Sequence, residues 1–97
     1  MANVQKDYEF VLIVSMKLGE EGITAMVQKF KDLIEANATL GEIDEWGKRR
    51  LSYEIDFQTE GYYVLFNFTS GAEFPAELDR ITTITEGIMR ALIIRKN

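Results

Sequence analysis

The side chains with the most evident chemistry lie in one run, Lys48-Arg49-Arg50, three adjacent cations with no acid among them. Such a triplet can bind phosphate oxygens. It can also guard the edge of a sheet, because charges discourage the addition of another strand. Arg90, Arg95 and Lys96 form a second acid-free basic segment near the end of the sequence. Both stand out against a net charge of −5, from 16 acidic and 11 basic residues. A chain of this balance does not hold nucleic acid by bulk charge, yet it can present a local basic surface.

Chemistry of other kinds lacks its reagents. The 97 residues include neither histidine nor cysteine. That removes the commonest general base, the thiolate nucleophile, disulfides and the usual zinc ligands. Glu42, Asp44 and Glu45 lack the glycine and terminal glutamate of a calcium loop and read as a solvated acidic strand. Gly19-Glu20-Glu21-Gly22 has glycines, but its acids repel phosphate and no Lys-Ser/Thr follows. The two glutamates suit the positive end of a helix instead. No catalytic residue, metal ligand, cofactor or small-molecule substrate is expected. Met1 to Lys6 lack the apolar stretch of a signal peptide, and no apolar run approaches the roughly 20 residues of a membrane helix. A cytoplasmic chain without membrane contact is the expectation.

The elements that must position the basic run follow from periodicity. Tyr8 to Ser15 are apolar on both parities, which predicts a central strand. Ile23, Met26, Val27, Phe30, Leu33 and Ile34 recur at spacings of three and four, one helical stripe, with Asn37 and Gly41 as stop and loop residues. Residues 42–55 read as a long strand with Ile43, Leu51, Tyr53 and Ile55 on one parity. Gln58 to Gly61 form a connection into the aromatic strand Tyr62 to Phe68. Pro75 suits the first turn of a second helix, with Phe74, Leu78 and Ile81 buried and Gly87 as its stop. Ile88 to Arg95 make the last strand. The order β-α-β-β-α-β predicts a ferredoxin-like α+β fold in a single domain over residues 1–97. Right-handed crossovers give an antiparallel four-stranded sheet in the order 4-1-3-2 with both helices on one face. The predicted core is Phe10, Leu12, Ile23, Val27, Phe30, Val64, Phe66, Phe68, Leu78 and Ile81. The basic residues then lie on the two edge strands, and alternation sends Lys48 and Arg50 to one face and Arg49 to the other.

RNA-recognition modules share this topology, but their third-strand motif is incomplete here. In Glu60-Gly61-Tyr62-Tyr63-Val64-Leu65-Phe66-Asn67, Glu60 replaces the basic residue and Asn67 falls where the final aromatic belongs. A different likeness is fuller. Glu45-Trp46-Gly47-Lys48-Arg49-Arg50-Leu51-Ser52-Tyr53-Glu54-Ile55 resembles the signature of the bacterial small-subunit ribosomal protein six family. Tyr8-Glu9, Glu60-Gly61-Tyr62-Tyr63, Glu77-Leu78-Asp79-Arg80 and Ile88-Met89-Arg90 also match in order. Departures are modest: Ser52 stands where alanine is usual, and Glu54 where many relatives have proline.

The resemblance implies a structural constituent of the ribosome, not an enzyme. It implies that the chain binds small-subunit (16S) ribosomal RNA together with the basic ribosomal protein eighteen. A basic partner would supply much of the phosphate-neutralising charge that this chain lacks. By the same resemblance Lys48, Arg49 and Arg50 are RNA or partner contacts and Arg90 is a second basic contact. Tyr8, Trp46 and Tyr53 match family positions and are either core or interface aromatics. The alternative is an autonomous ferredoxin-like RNA-binding or regulatory module outside the ribosome. An enzyme on the same fold, such as an acylphosphatase, stands further off, since that family's phosphate loop finds no match.

Overall fold

The computed structural model describes residues 5–55 and 58–96, and their side chains apart from those of 52–55 and 58. Four strands and two helices follow in the order β1 (Lys6–Ser15), α1 (Gly19–Asn37), β2 (Thr39–Ile55), β3 (Gln58–Ser70), α2 (Glu73–Ile84) and β4 (Ile88–Arg95). The sheet runs β2-β3-β1-β4 with antiparallel pairing throughout. This is the ferredoxin-like arrangement, with β2 and β4 at the edges.

Both helices lie on the face formed by Phe10, Leu12, Val14, Val64, Phe66 and Phe68, where they add Ile23, Phe30, Ile34, Phe74 and Leu78 to one core. Aromatic contact runs through it. Phe10 lies 5.8 Å from the Phe30 ring and 5.6 Å from Phe66, and Phe68 meets Phe74 edge-on at 5.5 Å. Val27 and Ile81, expected in the core, are half-buried at its margin. Glu20 and Glu21 occupy the first turn of α1, where carboxylates favour the positive end of the helix dipole. Asn37 Nδ2 donates to the Leu33 carbonyl at 2.9 Å, satisfying one acceptor of the last turn.

The structure departs from the sequence reading at several points, and Gly41, expected in a loop, lies inside β2. Gly22, which with Gly19 is expected to bracket the turn into the first helix, lies inside α1, and Met16–Leu18 form a short 3-10 turn before it. The second helix ends at Ile84, with Gly87 (φ +92°) in the turn that follows. The expected connection Gln58 to Gly61 is strand, and Gly61 pairs with both Arg49 and Ser15. Gly61 is glycine for room: a Cβ there would lie 2.6 Å from Ile13 Cγ2. The single parity expected along β2 is also broken. Register shifts between Leu40 and Ile43, and between Glu45 and Gly47, mark bulges. Ile43, paired with Phe66, therefore packs towards the helices, whereas Leu51 lies against Ile13 and Gly61 on the opposite face.

Candidate nucleic-acid and protein interface

The bulge shapes the basic strand. Gly47 adopts φ +82°, a left-handed conformation that a glycine takes without strain, and Trp46 is the residue left over between the pairs Glu45–Val64 and Gly47–Tyr63. Beyond the bulge the register resumes as Lys48–Tyr62, Arg49–Gly61 and Arg50–Glu60. Directly opposed residues share a face, so Lys48 and Arg50 lie on the helix side of the sheet and Arg49 on the open side. All three are exposed. Lys48 Nζ stands 3.7 Å from a Glu60 carboxylate oxygen with both side chains solvated, a contact of little energetic weight.

Arg49 is better positioned. Its guanidinium lies 5.8 Å from the centre of the Trp46 ring, which in turn stacks on Tyr63 at 6.2 Å and 21°. The ladder Arg49–Trp46–Tyr63 holds a cation over an aromatic face and leaves Trp46 about two-fifths exposed, at 41%. On the helix side of the same strands, the Tyr62 hydroxyl donates to Glu45 Oε1 at 3.1 Å. Partial burial, then that carboxylate, holds the Tyr62 phenol above its ordinary pKa.

Arg90 belongs to the same open face, because it pairs with Ile13, which pairs with Tyr63. Three strand spacings of about 4.8 Å and two residue steps of about 3.4 Å put the Arg49 and Arg90 backbones roughly 16 Å apart. The two arginines flank an end of the sheet whose centre is Ile13, Tyr63 and Gly61. Tyr8 is not at any interface of this kind: it is buried at 7% exposure, stacked 5.4 Å from Phe68. The Tyr53 side chain lies outside the described residues.

What the sequence reading missed is the rest of the open face. No helix covers it. Register puts Val11, Leu65, Leu92 and Ile94 on it, with Leu92 and Ile94 exposed at 42% and 50%. Glu9 stands beyond Val11, through the pair Glu9–Asn67, and Asp44 lies level with Leu65 on the β2 edge. The face thus carries arginines at one end and an apolar middle, with Asp44 at its β2 edge and Glu9 beyond. One signal for it was present: β1 is apolar on both parities, although two helices on one side can bury only one of them. Among the described residues no group of three or more acidic side chains converges as a metal site, and no helix is long and apolar enough to cross a membrane.

The family model described as ribosomal protein S6 matches residues 7–95. Small ribosomal subunit protein bS6 of Clostridium perfringens (strain SM101 / Type A) is 46% identical over 92 residues, covering 94% of this chain and 97% of that protein. Its counterpart in Clostridium botulinum (strain 657 / Type Ba4) is 49% identical over 90 residues, covering 92% and 96%. The crystal structure of 30S ribosomal protein S6 from Thermotoga maritima has the same fold, with a TM-score of 0.90 at 25% identity over 96% of this chain and 89% of that one.

Proposed function

The chain belongs to the ribosomal protein S6 family, and from that premise we propose that it binds 16S ribosomal RNA jointly with the basic ribosomal protein eighteen. As a family member it is a structural component of the small ribosomal subunit in the cytoplasm and not an enzyme. One observation carries the proposed partners: an acidic chain, net −5, concentrates exposed arginines at one end of a sheet face that is otherwise apolar and acidic. Arg49, with Lys48 and Arg50 on the other side of β2 and Arg90 across the sheet, offers phosphate contacts. The remainder of the open face, with Glu9 and Asp44, suits a basic protein.

Autonomous RNA binding is the second reading, and the Trp46–Tyr63 stack favours it, since exposed aromatics on a sheet can stack bases. Two carboxylates of the same face oppose it, because a strand of RNA crossing the sheet would bring phosphates to Glu9 and Asp44. Titrating a 16S fragment with this chain, with the basic partner, and with both separates the two. Joint binding predicts weak affinity for this chain alone and a gain of at least tenfold for the pair over either protein, which is about 1.4 kcal/mol. Equal affinity for the chain alone and the pair would establish the autonomous module.

A further inference from the structure

The two edges of the sheet are built in opposite ways. Strand β2 is guarded against another strand. Its register shifts at Trp46 and between Leu40 and Ile43, and Glu42, Asp44, Lys48, Arg49 and Arg50 place charges along it. Strand β4 has no such protection over its second half. Ala91 to Arg95 pair in unbroken register with Leu12 to Tyr8, and Ala91-Leu92-Ile93-Ile94 contains no charge, proline or glycine. No described strand pairs with its outer side, where backbone donors and acceptors run beside the exposed Leu92 and Ile94. An unguarded apolar edge of this kind is a template for strand addition.

A groove follows the first half of the same edge, between β4 and α2. Asp79, Thr82 and Thr83 line one side of it and Ile88 to Ala91 the other. Arg90, which borders it, belongs by register to the open face. The helix side of the groove is built from acceptors. The Thr82 and Thr83 hydroxyls both donate to the Asp79 carbonyl, at 2.7 and 2.9 Å, so each offers only lone pairs to a neighbour. The Asp79 carboxylate adds negative charge, and the last turn of α2, which contains no basic residue, adds its carbonyl end. A positively charged donor is the complement of this side.

We propose that the outer edge of β4 takes up an extended segment of another protein as a fifth strand, with lysine or arginine on one parity and aliphatic residues on the other. Backbone pairing to residues 91–95 supplies the affinity, and alternation supplies the specificity. On the helix side, a basic side chain opposite Ala91 reaches the α2 groove. On the open side, aliphatic side chains lie beside Leu92 and Ile94. The site is on the sheet edge away from Lys48, Arg49 and Arg50, and it stands whether or not the RNA and partner contacts proposed above hold.

The probe is a blocked synthetic peptide, Lys-Val-Lys-Ile-Lys-Val-Lys, titrated to about 2 mM into the full chain and followed by amide NMR. Signals of residues 91–95 and of Thr82 and Thr83 should move, while those of β2 stay. N-methylation of the peptide reads the mode of binding, because in an added strand alternate amides face β4 and the others face solvent. Methylating one alternate set should weaken binding at least tenfold, and methylating the other should leave it within about twofold. Asp79→Asn should weaken binding about threefold with unchanged melting temperature. Asp79→Lys should reverse the preference, so that the glutamate counterpart of the peptide binds more tightly than the lysine one. Absence of binding, movement centred on β2, or equal loss from both methylated peptides would overturn the proposal. So would β4 signals that move on raising the chain concentration alone, which would assign the edge to a second copy.

Discussion

Phe30 shows what one side chain contributes to holding the site. It is fully buried, tilted against Phe10 at 5.8 Å, and it joins α1 to the strand at the centre of the sheet. Truncation to alanine removes that ring and leaves a cavity the helix cannot close. Phe30→Ala should cost about 3–5 kcal/mol in denaturant unfolding, a large share of the roughly 5–15 kcal/mol of a small domain. Two glycines are held by different causes, and alanine distinguishes them. At Gly47 a Cβ meets nothing within 4 Å, so Gly47→Ala should cost only the left-handed backbone, about 1–2 kcal/mol. At Gly61 it meets Ile13 Cγ2 at 2.6 Å, and something must move. Gly61→Ala should cost about 1–3 kcal/mol, and Ile13→Ala should cost less in that background than in the parent, because it also removes the clash. In Gly47→Ala it should cost as much as in the parent, and unfolding of the three single and two double variants measures the coupling directly.

Strand β2 is where local pattern and register part company. Periodicity of two was legible between Lys48 and Arg50, because the ladder there is regular. It failed across Ile43 to Leu51 because an extra residue at Trp46 reverses the facing of everything beyond it, and alternation counted through a bulge assigns the wrong side. Gly47 was the available signal, a glycine inside a strand pattern. Gly61 misled in the other sense. It read as a turn residue, whereas close approach of Ile13 is what demands it, a cause invisible until β1 and β3 are paired. The helices and the strand order were legible throughout, since one stripe and one order of elements leave few ways to bury the aromatic strand. The facing along β2 makes a functional prediction. Lys48→Gln/Arg50→Gln and Arg49→Gln remove cations from opposite sides of the sheet. For every phosphate that a variant no longer neutralises, the slope of log affinity against log salt should shrink by about 0.7–0.9, measured on assembly with RNA and the basic partner. The weakening should be similar across RNA variants, because phosphate contacts position without reading sequence. Slopes equal to the parent for both variants would reduce the triplet to a guard of the sheet edge.

At the scale of the whole molecule, one side of the sheet is finished and the other is not. The helices consume the Phe-rich face, while the open face keeps Trp46, Tyr63, Leu92 and Ile94 at or near the surface, with arginines at one end. A structural protein of an RNA particle has a use for such a face if a protein covers it and RNA meets only the basic corner. The chain carries its own reporter, since Trp46 is the only tryptophan in the sequence and stands where the apolar centre meets Arg49. Its side chain stays about two-fifths exposed between Arg49 and Tyr63, so a neutral quencher such as acrylamide reaches it in the free chain. Docking of the basic ribosomal partner over the open face should remove that access. The quenching constant should fall at least twofold on addition of partner without RNA. A 16S fragment without partner should leave it nearly unchanged, because phosphates drawn to Arg49 and Arg90 lie at the rim and do not cover the ring. The opposite pattern, protection by RNA alone and none by the partner, would assign the face to stacked bases and move the protein contact elsewhere on the molecule.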